Sequence, residues 1–433
     1  MNQFFTLYKY ELVKIIKRKI VKISMAILLF LAVYMGIGEA LSNAYSITVG
    51  DQTINMNGFE MIAKNKESAL RLTGVRIDET TLKEVEDAYG KAYIISYEES
   101  VDADKLSLTN DIAASAVMIG EFEEKTPKEQ EAWQKKKELY ANIYHYIYQA
   151  LGSYDAVNYY YMDEEFFYQS WHNRMLERWM EQNVTQEEIT YLTQREETIE
   201  KPFVYGYSAG WDNILREILS LNVMLVLCVG ICLSNAFSEE HVRKTDQLIL
   251  CSKLGKRMLY FAKMAAGVTF GFVSGLLMLS AAVLSNLCIY GAEGFDVAAQ
   301  IYLPECARNL TMGQAVMLLG AVYMAAAVFL SIVTLFLSEA LQNSVAVVGL
   351  MSGLMILTNL VNIPYRFRMF SQIYGLLPTV LLRVWQLWDD RLVKVFGIYL
   401  NNFQIAPVLY LAVSILLLFL GGRIYRNYQV SGR

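Results

Sequence analysis

Histidine is scarce in this chain. There are three in 433 residues, His145, His172 and His241. No HExxH or GxxxxGK[ST] pattern occurs, so zinc-protease and P-loop ATPase chemistry both lack their residues. Cysteine is nearly as sparse. The five are Cys228, Cys232, Cys251, Cys288 and Cys306. None falls in the polar stretch 42–216, which must therefore fold without a disulfide framework. Cys228 and Cys232 are four apart in apolar sequence and read as small helix residues, because a metal site needs more ligands. Polar residues within the apolar runs are few: Glu39, Asn222, Asn235, Asn286, Glu339 and Asn359. Most sit near the ends of those runs, and no run carries the row of charges that a proton relay or voltage sensor needs.

The chain does have long apolar runs. It is 55% hydrophobic with mean hydropathy +0.27, too apolar for an ordinary soluble domain. The net charge of −5 hides an asymmetry. Residues 42–216 carry roughly −14 and the remainder roughly +9. The basic residues flank apolar runs and form no single patch, which argues against nucleic-acid binding.

The expected fold class is an α-helical polytopic membrane protein with six transmembrane helices. The expected spans are 21–41, 217–237, 263–290, 314–337, 344–361 and 405–422, each with enough apolar length for one crossing. An amphipathic interfacial helix over 1–20 precedes them, with Phe4, Tyr8, Leu12 and Ile16 on one face and lysines on the other. Basic residues at 9–22, 243–263 and 423–433 place both termini and the loop 238–262 in the cytoplasm. The insert 42–216 is then an extracellular domain between the first two spans, mainly helical, with α+β as the alternative.

Capping boxes at Thr126–Glu129 and Thr185–Glu188 open helices expected to run to about 150 and 198, a further helix is expected over 163–181, and a strand pair over 47–56. Tyr140, Tyr144 and Tyr148, with Tyr159–Tyr161, form an aromatic stretch that is either domain packing or a partner surface. The segment 362–404 is apolar at helical spacing but broken by Pro364, Pro378 and Gly397. It reads as a re-entrant or surface-lying segment on the outer side, despite its five Lys/Arg. A tail at 423–433 ends the chain.

The loop 238–262 carries the most ordered pattern. Glu239 and Glu240 form an acidic pair of the kind seen in membrane-embedded proteases, but no histidine follows His241 to complete such a site. The order continues with Arg243, Lys244 and Thr245, the apolar triplet Leu248, Ile249 and Leu250, then Ser252, the basic pair Lys256 and Arg257, and Lys263 at the next span. This order resembles the ABC-2 type permeases, the membrane subunits of ABC exporters. Lys244 stands where that family has a small residue. The stretch from Lys201-Pro202-Phe203 to Gly210-Trp211 looks similar too, and the resemblance covers 1–42 and 200–433 but not the insert.

The resemblance implies a bacterial cell-membrane permease that pairs with a second permease subunit. A separate cytoplasmic ATPase would bind ATP; no cofactor, catalytic residue or metal is expected in this chain. The loop residues named above, from Glu239 to Arg257, would dock in a groove of that ATPase. The triplet would give apolar contact and the charges would fix the register. The cargo would be hydrophobic or amphipathic: a peptide, a lipid or a drug. The alternative is a signalling or mechanotransmission protein whose extracellular domain senses a ligand without transport.

Overall fold

The computed structural model describes residues 2–42, 44–49, 52–90, 126–151, 163–242 and 257–427. The chain forms two compact units. One, Met1–Ser42, Gly210–Gly291 and Ala315–Arg433, holds the apolar helices; the other, Asn43–Ala209 and Ala292–Gln314, is polar.

In chain order the elements are α1 (Asn2–Lys17), α2 (Lys19–Ser42), β1 (Ala44–Val49), β2 (Gln52–Asn57), α3 (Gly58–Arg71), α4 (Glu79–Val85), α5 (Pro127–Leu151), α6 (Glu164–Glu181) and α7 (Gln186–Glu196). Then follow α8 (Ala209–Leu233), α9 (Asn235–Val242), α10 (Met258–Tyr290), α11 (Met312–Leu341), α12 (Ser344–Leu360), α13 (Arg368–Gly375), α14 (Pro378–Leu381), β3 (Val393–Val395), β4 (Ile398–Leu400) and α15 (Asn402–Asn427).

Five helical stretches among the described residues are long and apolar enough to cross a membrane: Lys19–Ser42, Ala209–Glu240, Met258–Tyr290, Met312–Leu341 and Asn402–Arg426. The sixth expected span, α12, has 17 residues. At about 1.5 Å per residue it is a few ångströms short of a ~30 Å hydrocarbon core. The helices also begin and end elsewhere than the apolar runs suggest. α8 starts at Ala209 rather than 217, and α8–α9 run on through Glu239 and Glu240, so the beginning of the expected loop is helical.

Small residues bring the apolar helices together, as expected where packing rather than hydrophobic exclusion drives association. Gly267, Gly271 and Gly275 lie on one face of α10. A β-carbon on Gly271 would sit 1.8 Å from the Ser331 hydroxyl, and one on Gly267 2.7 Å from Leu335, both on α11. Gly36 of α2 meets Ser285 and Asn286 of α10 in the same way. The outward stripe of α2, Ile23, Ile27, Phe30 and Tyr34, is exposed, as is Val408, Leu411, Ile415 and Phe419 on α15. These are lipid-facing patterns.

The segment 362–404 is broken into short pieces, as Pro364, Pro378 and Gly397 predict. Its interior is paired into the helices around it. Asn222 of α8 donates from Nδ2 to the Pro378 carbonyl at 3.0 Å, and Tyr410 of α15 donates to the Leu376 carbonyl at 2.8 Å. Pro378, Thr379, Val380 and Leu381 are all buried.

The polar unit bears out its capping signals. Thr185 and Glu188 cap α7 reciprocally, though the helix ends at Glu196 rather than 198. Thr126 and Glu129 bond across the start of α5 at 2.9 and 3.4 Å. Asp163 caps α6, and β1 pairs antiparallel with β2. Trp171, Met175 and Trp179 of α6 are fully buried, with Phe167 and Phe203 beside them. The boundary departs from expectation in one respect. Ala292–Gln314, between α10 and α11, belongs to this unit. Trp171 donates from its indole nitrogen to the Pro304 carbonyl at 2.7 Å, and Arg174 and Arg178 grip Glu305.

Candidate functional site

On α1, Phe4, Tyr8 and Leu12 are half-buried and Ile16 is exposed. The buried face runs one step round the helix, through Glu11 and Ile15, and it lies against α10. Tyr8 donates to Thr269 Oγ1 at 3.1 Å.

That face carries charge. Lys263, near the start of α10, has a side chain only 1% exposed. Its ammonium lies 2.6 Å from Glu240 Oε1 and 3.2 Å from both Glu11 Oε2 and the Ala236 carbonyl. The Phe237 ring covers it at 5.6 Å. Lys14 reaches Glu240 at 3.4 Å, and Arg18 bonds Glu239 at 2.5 Å and the Asn235 carbonyl at 3.3 Å. Three cations thus face three carboxylates, drawn from α1, the α1–α2 junction, α9 and α10. Three donor bonds satisfy the Lys263 ammonium.

Glu339 on α11 is also buried, and neither of its carboxyl oxygens has a hydrogen-bond partner among the described residues. The adjacent Ser338 hydroxyl donates to the Ser234 carbonyl at 2.6 Å and accepts from the Phe237 amide. This ties α11 to the α8–α9 junction. Four helices therefore meet where α9 runs out toward the basic loop.

Of the expected loop residues, Glu239 and Glu240 are in the cluster, their charges already engaged inside the chain. Arg257 is exposed at the start of α10 and makes no capping bond. Arg243, Lys244, Thr245, Leu248, Ile249, Leu250 and Lys256 lie outside the described residues. Sequence reasoning missed Glu11. The available signal was a single acid among the lysines of α1, one helical turn from Tyr8 and from Ile15.

No family model, curated protein or solved structure matches the chain. Its character comes from the fold. It is an α-helical membrane protein.

The membrane unit contains a second polar group, around Gly375 on α13. A β-carbon there would lie 3.3 Å from Asn402 Nδ2 and 3.7 Å from Gln386 Oε1. Gln372 sits one turn earlier on the same helix. Gln372 Nε2, Gln386 Oε1 and both amide atoms of Asn402 are buried without partners among the described residues. Arg391, held by Asp389 at 2.5 and 2.8 Å and by Ser371 at 2.5 Å, closes one side.

The polar unit has an open groove of about 740 Å³. Glu79, Asp163, Glu164, Glu165, Glu196 and Glu197 line it, with Tyr168, His172 and Lys201. Glu196, at its inner end, is bonded to His172 Nδ1 at 2.6 Å and Lys201 at 3.0 Å. Tyr168 bridges the Ile77 carbonyl and the Phe203 amide, and burial pushes its phenol well above the ordinary value. Elsewhere in the unit Tyr89 stacks on Tyr144 at 4.0 Å, and burial pushes the Tyr89 phenol to about 12. The tyrosine stretch thus serves packing at Tyr144, while Tyr159–Tyr161 lie outside the described residues.

Proposed function

We propose that this chain is the permease subunit of an ATP-driven ABC-2 type exporter. It moves a hydrophobic or amphipathic cargo by alternating access. In this reading α12 completes six crossings, both termini face the cytoplasm, and the polar unit lies outside a bacterial cell membrane. The 362–404 segment is re-entrant from that outer side. A second permease subunit and a cytoplasmic ATPase complete the assembly.

The observation that carries the reading is the Lys263–Glu240–Glu11 cluster. A docking loop transmits force only if its roots are fixed to the helices that must move. Here the root of the loop, α9, is held by ion pairs to the amphipathic helix on one side and to the next span on the other. A push on the loop then moves α1, α8–α9 and α10 together, which is a rigid-body device for switching access. Non-helical backbone within the membrane unit is paired to Asn222 and Tyr410, as spanning proteins require of a re-entrant segment.

The test is reconstitution with a candidate cognate ABC ATPase. Ile249→Asp should abolish co-purification of the two, and wild-type vesicles should move labelled amphipathic probes with ATP. Retained co-purification removes the docking role. For topology, a cysteine replacing the solvent-exposed Lys135 should react with an impermeant reagent on intact cells, and Cys251 only after permeabilisation. The reverse order overturns the arrangement.

The acidic groove favours one competing reading, a sensor whose polar unit binds a cationic ligand without transport. ATP turnover that responds to such a ligand while no probe crosses would decide for it.

A further inference from the structure

The hairpin β3–β4 is amphipathic. Its register pairs Val393 with Leu400, Lys394 with Tyr399 and Val395 with Ile398. Cross-strand partners share a face and successive residues alternate. Val393, Val395, Ile398 and Leu400 therefore form one wholly apolar face, and Lys394 and Tyr399 the other. The ammonium of Lys394 lies over the Tyr399 ring at 5.1 Å. The turn is Phe396-Gly397, with φ of +49° and +84°. Two successive residues in the left-handed region make a tight two-residue turn that throws the phenylalanine outward.

Phe396 is fully exposed, at 102%, and Ile398 is 63% exposed. A non-glycine residue with positive φ and a bare aromatic ring at a turn is costly in water. Something must cover it. A second copy of the chain is a poor candidate, since the tip offers three side chains where a stable interface needs about 800 Å² per partner. The chain's own continuity points to lipid. Only Asn401 separates β4 from α15, a helix apolar and long enough to cross a membrane. Met369, Phe370 and Ile373 on α13 are exposed as well, and Arg368 at the start of that helix donates to the Leu392 carbonyl, the residue before β3, at 3.3 Å. Lys394 and the exposed Arg366 are cations of the kind that meet lipid phosphates.

We propose that the β3–β4 hairpin is a lipid wedge. Phe396, Val395 and Ile398 enter the boundary between headgroups and acyl chains, and Lys394 remains among the phosphates. The wedge anchors the broken segment 362–404 beside α15. It requires only that the chain spans a bilayer, not that it exports anything.

The experiment uses the full-length chain in phosphatidylcholine–phosphatidylglycerol vesicles. An environment-sensitive fluorescent amino acid replaces Phe396 in one preparation, Ile398 in a second and Lys394 in a third. At 396 and 398, acyl-brominated lipids should quench several-fold more strongly than at 394, and aqueous iodide several-fold less. Equal iodide quenching at all three positions overturns the proposal. Shielding at 396 that ignores brominated lipid and disappears when the protein is diluted into excess lipid also overturns it, in favour of a second copy. The agreement of 396 with 398 guards against a local defect from either replacement.

Discussion

Lys263 and Glu240 lie 2.6 Å apart, on helices joined by the basic loop, and both side chains are buried. Neither can lose its partner cheaply. A lone buried charge costs far more than the pair gains over an apolar replacement, and breaking such a pair typically costs about 3–5 kcal/mol. Lys263→Met should therefore lower stability in detergent by about that much. The double variant Lys263→Met/Glu240→Gln should be more stable than the sum of the single losses predicts, by about 1–3 kcal/mol of coupling. Thermal unfolding of the four proteins gives the cycle. Additive losses would mean that the two charges do not interact.

Glu305 gives the polar unit an acid limit. Burial works to raise its carboxyl, but Arg178 and Arg174 outweigh it and hold the group below its usual value of 4.5. A carboxyl whose folded pKa is depressed contributes stability above the unfolded value, and that stability is lost as pH falls through the folded one. The unit should therefore lose stability progressively as pH drops below about 4.5. Glu305→Gln should be less stable at neutral pH and should flatten that dependence. The buried Trp171 and Trp179 report the transition by fluorescence. An unchanged acid slope in Glu305→Gln would assign the loss to other groups.

The five long apolar helices were legible because each is a long apolar run that needs no partner to be recognised. The α5 and α7 starts were legible because a capping box is a local pattern of four residues. The ion cluster was not. Glu11 and Lys263 are 252 positions apart, and nothing in either neighbourhood announces the other. The fold of residues 292–314 into the polar unit was not legible either. Their attachment to the polar unit rests on Trp171 and Glu305 finding partners 127 to 133 positions away. The resemblance implies that Glu239 and Glu240 are presented to a partner. The packing shows their charges turned to α1 and α10.

Glycine placement separates helix packing from helix propensity. A β-carbon on Gly210 would sit 2.4 Å from the Gly291 carbonyl oxygen, which is backbone and cannot step aside, whereas one on Gly349 meets nothing within 4 Å. Gly210→Ala should destabilise by about 1–3 kcal/mol through overpacking. Gly349→Ala should be neutral or stabilising by up to about 1 kcal/mol through helix propensity. Unfolding midpoints measured side by side in one detergent make the comparison. A tolerated Gly210→Ala would show that α8 and the end of α10 are less closely apposed than described.

Asn402 poses the opposite question. Its side chain is 2% exposed, and both amide atoms lack partners among the described residues. An unsatisfied buried polar group costs about 1–3 kcal/mol, and replacing it with an apolar group of similar shape removes that cost. Asn402→Leu should then raise the unfolding midpoint or leave it unchanged, while Gln386→Leu, on the other side of Gly375, should behave likewise. A marked loss of stability in both would mean that the amides hold something polar between them. The space beside Gly375 would then be an occupied site rather than a gap in the packing.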